Sequence, residues 1–337
     1  MITRALAIIS VVVCVAWPAA AQEHVTVGTL RQPNNGALFL ADGRGYFKAE
    51  GLDVELRAFS TPVAVVEAVA GGAIDFGLAE FSAEAFNLAG AGAIKLVAAQ
   101  AREQRGIEGN DLVVSVGAYE GGMRKPENLS GRSIAITALG SIYHYQAAEI
   151  ARAEQFDFAT LNIKPMQTYK SIAQAVANGQ VDAGILPAQY ARQLMMAGLG
   201  RLMTWCSEFG EQQLGALFVT AKMVRLHRAT AAKFIRAYRR GVHDYAEALA
   251  RYDRYGKLIY DAKSHAAASV IARYIYPGLS LAGSIAAVEL GASYIDPQAR
   301  LDTADLERQL SWFKSQNLVK KSVDVQSIVD PSFTQSQ

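Results

Sequence analysis

The sequence predicts an α/β protein of two similar lobes, each built on a doubly wound, mostly parallel sheet. Strand and helix patterns alternate along the chain, which is typical of parallel strands joined by crossover helices. One pattern, a helix end followed by glycine and then a buried strand with an Asp, occurs twice, at residues 68–80 and 175–186. The length of 337 residues suits two such lobes.

The first copy shows how each element of the pattern is specified. Thr61 is a suitable N-cap, and Pro62 suits the first helical position because that position needs no backbone N–H. Gly71 and Gly72 predict the helix end, since glycine tolerates the left-handed conformation found there. The apolar residues within 74–78 then predict a short strand.

The Asp of each copy is interpreted as structural. Asp75 and Asp182 occupy the same place near the start of the predicted strand. In a doubly wound lobe, ligands meet the C-terminal ends of the strands instead. The candidates for chemistry are therefore the residues that follow each copy, at 80–82 and 186–189.

The other elements follow from the same patterns in chain order. Apolar runs bounded by polar or glycine-containing turns predict strands, and caps or 3.6-residue spacing predict helices. The predicted strands are residues 24–30, 52–56, 94–99, 112–116, 134–136, 160–166 and 214–221. Helices are predicted to begin near residues 37 and 141 and to span 169–177, 266–276 and 284–294, and further helices are predicted from 227 onward and from 303.

Two strands flank the polar stretch 100–110, which predicts a passage between the lobes. We therefore assign residues 22–111 and 218–337 to lobe one and residues 112–217 to lobe two. The helical C-terminal part carries no chemical motif, and we expect it to pack on lobe one.

The N-terminus predicts an export signal. Arg4 precedes an apolar run at residues 5–15, and three alanines at 19–21 provide a cleavage site. Residues 1–21 are therefore predicted to be a signal peptide. An alternative is lipoprotein processing at Cys14, which the valines before it disfavour.

Composition argues against several functional classes. The net charge is +2 with both signs interspersed, so no nucleic-acid partner is expected. The five histidines have no paired spacing, which predicts no metal site. Neither a phosphate loop nor a Gly-x-Ser-x-Gly elbow occurs, so no cofactor is expected. Cys206 would be the one mature cysteine, and a buried thiol is favoured over a nucleophile.

Five segments of the sequence form a combined pattern. They are GYFKAEGLDV at 45–54, GAIDFG at 72–77, LSGRSIA at 129–135, GSIYHY at 140–145 and the tail at 312–333. In this order and spacing, which are more specific than any single motif, they resemble the nitrate/sulfonate/taurine-type (thiamine-pyrimidine-precursor-like) ABC-transporter substrate-binding proteins. The resemblance covers nearly the whole mature chain. Asn128 departs from it, since the family usually has Asp there.

The resemblance implies a type II periplasmic binding protein fold, in which two lobes close over a small organic solute. It further implies a periplasmic, non-enzymatic and monomeric protein that delivers its solute to a membrane permease and its ATPase. Two alternatives stay open. One is an enzyme of thiamine-pyrimidine or menaquinone synthesis on the same fold, and the other is a sensory ligand-binding domain.

Strand-end loops of lobe one supply the first candidate ligand contacts. Arg31 offers a forked cation, and Gln32, Asn34 and Asn35 in the same loop offer amides, although a solvated turn is the alternative. Ser60 and Thr61 begin a helix, whose N–H groups favour an anion, although Thr61 can simply cap it.

The third loop contains Glu80, Phe81 and Ser82. Glu80 suits a ligand amine or hydroxyl, or an ion pair with Arg31, and Phe81 suits stacking on a ring. The alternative is a helix start with Ser82 as its cap and Phe81 in the core.

Lobe two supplies the remaining candidates. Gly140 allows close backbone approach, and Ser141 can cap the helix or donate to a ligand. Tyr143 offers a flat wall, whereas a packed core position is favoured for His144. Pro187 and Gln189 lie at the matching strand end of lobe two, and Glu208 is a weaker candidate beside the hinge.

These residues predict an organic acid as the solute, either a sulfonate, a carboxylate or an aromatic acid. The helix starts and Arg31 favour an acidic group, whereas Glu80 disfavours a bare inorganic anion. A neutral or amine-bearing heterocycle stays open as the alternative.

Overall fold

The computed structural model describes residues 22–276 and 278–333, and the predicted signal peptide lies outside them. This part of the chain contains two five-stranded sheets and a two-stranded ribbon. The strands are β1 (Glu23–Thr29), β2 (Leu52–Ala58), β3 (Phe76–Glu80), β4 (Ile94–Ala99), β5 (Arg102–Glu103), β6 (Asn110–Ser115), β7 (Ser133–Ile136), β8 (Asn162–Pro165), β9 (Ala183–Pro187), β10 (Gly200–Trp205), β11 (Gln212–Gln213) and β12 (Gly215–Thr220).

The helices surround both sheets, and each predicted helix is present among them. Strand β10 and helix α8 were not predicted. The α-helices are α1 (Gly36–Gly43), α2 (Tyr46–Ala49), α3 (Pro62–Ala70), α4 (Ala83–Gly90), α5 (Val116–Glu120), α6 (Ile142–Ala153), α7 (Tyr169–Ala177), α8 (Ala188–Met196), α9 (Ala221–Leu226), α10 (Arg228–Ala248), α11 (Ala262–Ile275), α12 (Leu281–Leu290), α13 (Thr303–Ser315) and α14 (Val325–Ile328).

Two helices begin three or four residues earlier than predicted, because their caps were not recognised in the sequence. The side chain of Asp261 accepts hydrogen bonds from the backbone N–H groups of Lys263 and Ser264 at 2.9 and 3.0 Å, which starts α11. The hydroxyl of Ser280 accepts from the N–H of Gly283 at 3.2 Å, which starts α12. Such caps satisfy N–H groups that have no partner within the helix.

The two sheets have the same topology. The first has the order β2-β1-β3-β12-β4, and the second, read from its other edge, has the order β8-β7-β9-β6-β10. Each ribbon strand is followed in the sequence by a strand that runs antiparallel to both of its neighbours in a sheet. This strand is β12, after β11, in the first sheet and β6, after β5, in the second. The predicted two-lobe α/β class is confirmed. Each sheet has one antiparallel strand among otherwise parallel strands.

The predicted lobe boundaries fall inside strands. The boundary at 111/112 divides β6, and the boundary at 217/218 divides β12, although each strand belongs wholly to one sheet. We propose instead that the lobes divide at the β5–β11 ribbon, where the chain crosses in both directions.

The repeated Asp makes the same hydrogen bonds in both lobes. Asp75 Oδ2 accepts from the backbone N–H and the hydroxyl of Thr26 on β1, at 2.9 and 3.0 Å. Asp182 Oδ2 accepts from the N–H and hydroxyl of Ser133 on β7, at 2.8 and 2.6 Å. In both lobes the partners are 49 residues apart. Each Asp, placed just before its own strand, therefore joins that strand to the adjacent parallel strand, as the structural interpretation predicts.

The C-terminal helices pack on both lobes, which corrects the expectation that they pack on lobe one alone. Helices α10 and α11 share a hydrophobic core with β1 and α1. On α13, however, the Trp312 ring lies 5.0 Å from the His144 ring and 5.5 Å from the Tyr145 ring, both on α6 of lobe two.

A buried carboxylate occupies the ribbon between the lobes. Glu103 on β5 is fully buried, and its Oε1 accepts from the backbone N–H of Asn110 and the Nε2 group of Gln146, both at 2.9 Å. Burial raises the pKa of Glu103 from 4.5 to about 7, because desolvation outweighs the lowering of the pKa by these two hydrogen bonds.

We expect Asp182→Ala to lower the free energy of unfolding by about 2 kcal/mol, because it leaves the Ser133 N–H and hydroxyl without their acceptor. Urea unfolding checks this. Asp53→Ala is the matched control, since Asp53 is 61% exposed and pairs only with His24 in the described residues. Equal losses in the two variants would contradict the structural role.

The pH dependence of stability should contain a contribution from Glu103. Its raised pKa means that the folded protein binds a proton between pH 4.5 and 7 that the unfolded chain has released. This stabilising contribution is complete below pH 4.5 and is lost as pH rises through 7, a change of about 3 kcal/mol. We expect Glu103→Gln to flatten this part of the profile of unfolding free energy against pH. An unchanged slope would contradict the assignment.

Candidate functional site

A pocket of about 240 Å³ lies where strand-end loops of both lobes meet. Lobe one contributes the loops after β2 and β3, and lobe two contributes the loops after β7 and β8. Equivalent ends of the two related sheets thus face each other, which is where ligands bind in folds of this type. The lining residues are Thr61, Pro62, Val63, Glu80, Phe81, Ser82, Glu84, Thr137, Ala138, Leu139, Gly140, Ser141, Ile142 and Gln167.

Three helices begin at this pocket. Thr61 caps α3 by accepting from Ala64 N–H at 3.2 Å, and Ser82 caps α4 by accepting from Ala85 N–H at 3.1 Å. Ser141 caps α6 in the same way. The positive ends of three helix dipoles therefore point towards the pocket and favour an anionic group there.

The two lobes are joined at the pocket by backbone hydrogen bonds. Ala83 N–H donates to Gly140 O at 2.7 Å, and Ile142 N–H donates to Phe81 O at 3.1 Å. Gly140 has a φ of +81°, and a Cβ built there would lie 3.1 Å from the Cβ of Ala83. A glycine is therefore required by both the backbone conformation and the contact between the lobes.

Glu80 forms a buried cluster between the lobes. Its Oε1 accepts from Asn34 Nδ2 at 3.2 Å and from the Tyr143 hydroxyl at 3.1 Å, and its Oε2 accepts from the Tyr169 hydroxyl. Asn34 belongs to lobe one, whereas Tyr143 and Tyr169 lie in the first turns of α6 and α7 of lobe two. The carboxyl group thus receives hydrogen bonds from both lobes.

The tyrosines of lobe two surround this carboxyl group. The Tyr143 and Tyr169 rings lie 5.5 Å apart, and the Tyr190 ring lies 5.5 Å from Tyr169. Burial raises the pKa of Glu80, although its three donors oppose that shift. Burial and the nearby Glu80 raise the pKa of Tyr143 and Tyr169 well above 10, so both hydroxyl groups stay protonated and act as donors.

Arg31 is a correction to the sequence-based site. It is exposed and lines a separate pocket on lobe one with Arg57 and Arg273, so the predicted ion pair with Glu80 is wrong. The loop turns through Pro33–Asn35, which buries Gln32, Asn34 and Asn35 and leaves Arg31 outside.

Ser60 and Glu208 also lie outside the pocket. Both are exposed and neither is among its lining residues. Ser60 precedes the cap Thr61, which does line the pocket. Glu208 is in a short 3-10 turn that follows β10.

Two aromatic candidates adopt their alternative core positions. The Phe81 ring lies 5.2 Å from Phe86 and 6.2 Å from Phe218, and Phe81 is 1% exposed, so the ring packs in the core of lobe one although the residue also lines the pocket. His144 accepts from Gly140 N–H through Nδ1 at 3.1 Å and packs against Trp312. Burial lowers the pKa of His144 to about 4, which keeps this acceptor unprotonated.

The remaining predicted residues are buried near the ribbon or the C-terminal helices. The Asn35 side chain donates to Leu30 O at 3.0 Å and accepts from Gln100, which fixes its loop. Pro187 ends β9, and Gln189 on α8 is 5% exposed and packs on Gly291.

Sequence reasoning missed Tyr169, Gln167 and Thr137. The available signal was the strand-end rule itself. Gln167 and Tyr169 follow β8, whose loop was not among the candidates, whereas Thr137 directly follows β7, in a loop whose candidates began only at Gly140. Gln167 adopts a φ of +66° in the loop after β8 and lines the pocket. Tyr169 follows two residues later as the first residue of α7.

The described residues contain no group of three or more His, Cys, Asp or Glu side chains that could hold a metal ion. Within the same ranges, no helix has the length and apolar character needed to cross a bilayer.

Residues 32–248 match the model of the family described as NMT1/THI5 like. A comparison with curated protein sequences finds no match.

Several solved structures have the same fold. The alkanesulfonate-binding protein SsuA from Xanthomonas axonopodis pv. citri, bound to MOPS, is 17% identical, with a TM-score of 0.69 over 93% of this chain and 99% of that one. The periplasmic aliphatic sulphonate-binding protein SsuA from Escherichia coli is 16% identical, with a TM-score of 0.66 over 91% of this chain and 92% of that one. The desulfurization enzyme DSZB is 16% identical, with a TM-score of 0.61 over 93% of this chain and 98% of that one.

We expect Gly140→Ala to destabilise the protein by about 2 kcal/mol, because the added Cβ combines an unfavourable φ with a contact between the lobes. Gly131→Ala is the matched control, since Gly131 has a φ of +76° with no atom within 4 Å of the added Cβ. Urea unfolding should show a larger loss at 140, and small-angle scattering should show a larger radius of gyration. Equal values for the two variants would contradict a constraint between the lobes.

Proposed function

The chain belongs to the NMT1/THI5-like family, and from this membership we propose that it is the solute-binding component of an ABC importer. In this proposal a small organic solute binds between the lobes, and the closed protein delivers it to a membrane permease. The observation that carries the proposal is the pocket of about 240 Å³ lined by strand-end loops of both lobes.

We propose further that the solute carries an acidic group, as a sulfonate, a carboxylate or an aromatic acid does. The helix starts at Thr61, Ser82 and Ser141 support this, because their dipoles favour negative charge in the pocket. Arg31 adds no positive charge to the lining, since it lies outside the pocket. The structural neighbours that bind sulfonates agree with this class of solute.

Export is part of the same proposal. Residues 1–21 have the layout of a signal peptide, and a solute-binding component acts in the periplasm before the permease. The mature chain would act there as a monomer, with the permease and its ATPase as partners.

A second candidate is an enzyme on the same fold, which the likeness to the desulfurization enzyme DSZB favours. Within the described residues, the free cysteine Cys206 is 1% exposed, and burial raises the pKa of its thiol well above 9. A protonated, buried thiol is a poor nucleophile, so cysteine chemistry lacks support here. Conversion of a bound solute by the purified protein would favour the enzyme.

The proposed function is tested by identifying the solute and then blocking its pocket. Native mass spectrometry of the protein from its own host should detect a bound small organic acid. After removal of that solute, adding MOPS or the recovered compound should raise the melting temperature. Absence of any bound or stabilising solute would contradict the proposal.

Val63→Trp should weaken binding at least about ten-fold, because Val63 lines the pocket from the first turn of α3 and the indole would fill it. Leu226→Trp is the control, since Leu226 is 60% exposed and is not among the lining residues. Calorimetry on both variants measures the difference. Equal affinities would place the solute elsewhere.

A further inference from the structure

The pocket contains a carboxyl group whose hydrogen-bonding capacity is not filled. An ionised carboxylate offers about four acceptor positions. Three positions of Glu80 are taken, two on Oε1 by Asn34 and Tyr143 and one on Oε2 by Tyr169. One acceptor position therefore remains on Oε2, in a side chain that lines the pocket and is 5% exposed.

The neighbouring loop adds two more unfilled acceptors. Gln32 Oε1 and Asn34 Oδ1 are buried and have no hydrogen-bond partner within the described residues. Asn34 must turn its Nδ2 towards the Glu80 carboxylate, so its Oδ1 faces away from that bond. Buried oxygens without donors are costly. Asn34 brings its free Oδ1 near the Glu80 carboxyl group, although neither Asn34 nor Gln32 is among the lining residues.

The charge around these acceptors points in the same direction. Lys, Arg and His are absent from the residues that line the pocket, whereas Glu80 and Glu84 both belong to them. The rings of Tyr143, Tyr169 and Tyr190 stand next to each other beside the carboxyl group. A lining with carboxylates and without a positively charged side chain favours a cationic nitrogen group in the pocket.

We propose that the solute presents a protonated or N–H-rich nitrogen group to Glu80 in the pocket. This inference rests on the proposed function, and it narrows the solute from a simple acid to a zwitterion. The acidic end lies at the starts of α3 and α6, and the nitrogen end contacts the carboxylate. The free acceptor position on Glu80 Oε2 accepts one of its N–H groups.

Two matched pairs of probes test the nitrogen requirement in the wild-type protein. Taurine and isethionate differ only in ammonium against hydroxyl, and 4-amidinobenzoate and 4-carbamoylbenzoate differ only in amidinium against amide. We expect the cationic member of at least one pair to bind at least about ten-fold more tightly by calorimetry, because hydrogen bonds to charged groups are stronger than neutral ones. Equal binding within both pairs, or tighter binding of the uncharged members, would overturn the inference.

Glu80→Gln identifies the acceptor, since it keeps the shape and removes the charge. We expect it to abolish the preference within the pair, whereas Glu67→Gln, an exposed change on α3 outside the pocket, leaves the preference intact. A preference that persists in Glu80→Gln would overturn the role of Glu80.

The outcomes also separate this inference from the proposed function. Binding of the uncharged acids without any preference rejects the nitrogen group and leaves an acid-binding protein. Failure of all four probes, together with the absence of a solute in the native protein, rejects both.

Discussion

Two backbone hydrogen bonds hold the lobes together at the pocket, from Ala83 to Gly140 and from Ile142 to Phe81. Each donor is the first N–H of a helix, a group that has no partner within its own helix. The unpaired N–H group at the start of each helix, α4 or α6, therefore finds a carbonyl acceptor in the loop before the other helix. The same contact brings Glu80, just before α4, to Tyr143, just after the start of α6. The candidate site exists only because these two helix starts meet.

Helix α6 connects that contact to the ribbon. Tyr143 donates to Glu80 at the pocket, and Gln146, three residues later and on the same side of the helix, donates to Glu103 on β5. Both carboxylates belong to strands of lobe one or the ribbon, both are buried, and both have a pKa raised by burial. Rotation of α6 relative to lobe one would break both bonds together. One element thus couples the candidate site to the segment where the chain crosses between the lobes.

Much of this arrangement could be predicted, because it depends on local patterns. The two Asp-containing copies, the caps Thr61 and Ser141 and the strand-end loops follow from periodicity and turn chemistry, and the predicted family and fold are confirmed. Arg31 lies outside the pocket, because position in a loop does not determine the direction of a side chain. A 3-10 turn buries the amides that follow Arg31 and leaves its guanidinium in solvent.

By itself, the sequence determined the fold class, the duplication of the lobes and the loops from which a site would be built, since these depend on residues close together in the chain. Only the tertiary structure decided which side chains meet. The three partners of Glu80 lie far from it in the sequence: Asn34 is 46 residues away, Tyr143 is 63 and Tyr169 is 89. No spacing rule joins residues so far apart. Burial between the lobes also raises the pKa values of Glu80, Tyr143 and Tyr169, because desolvation disfavours their charged forms.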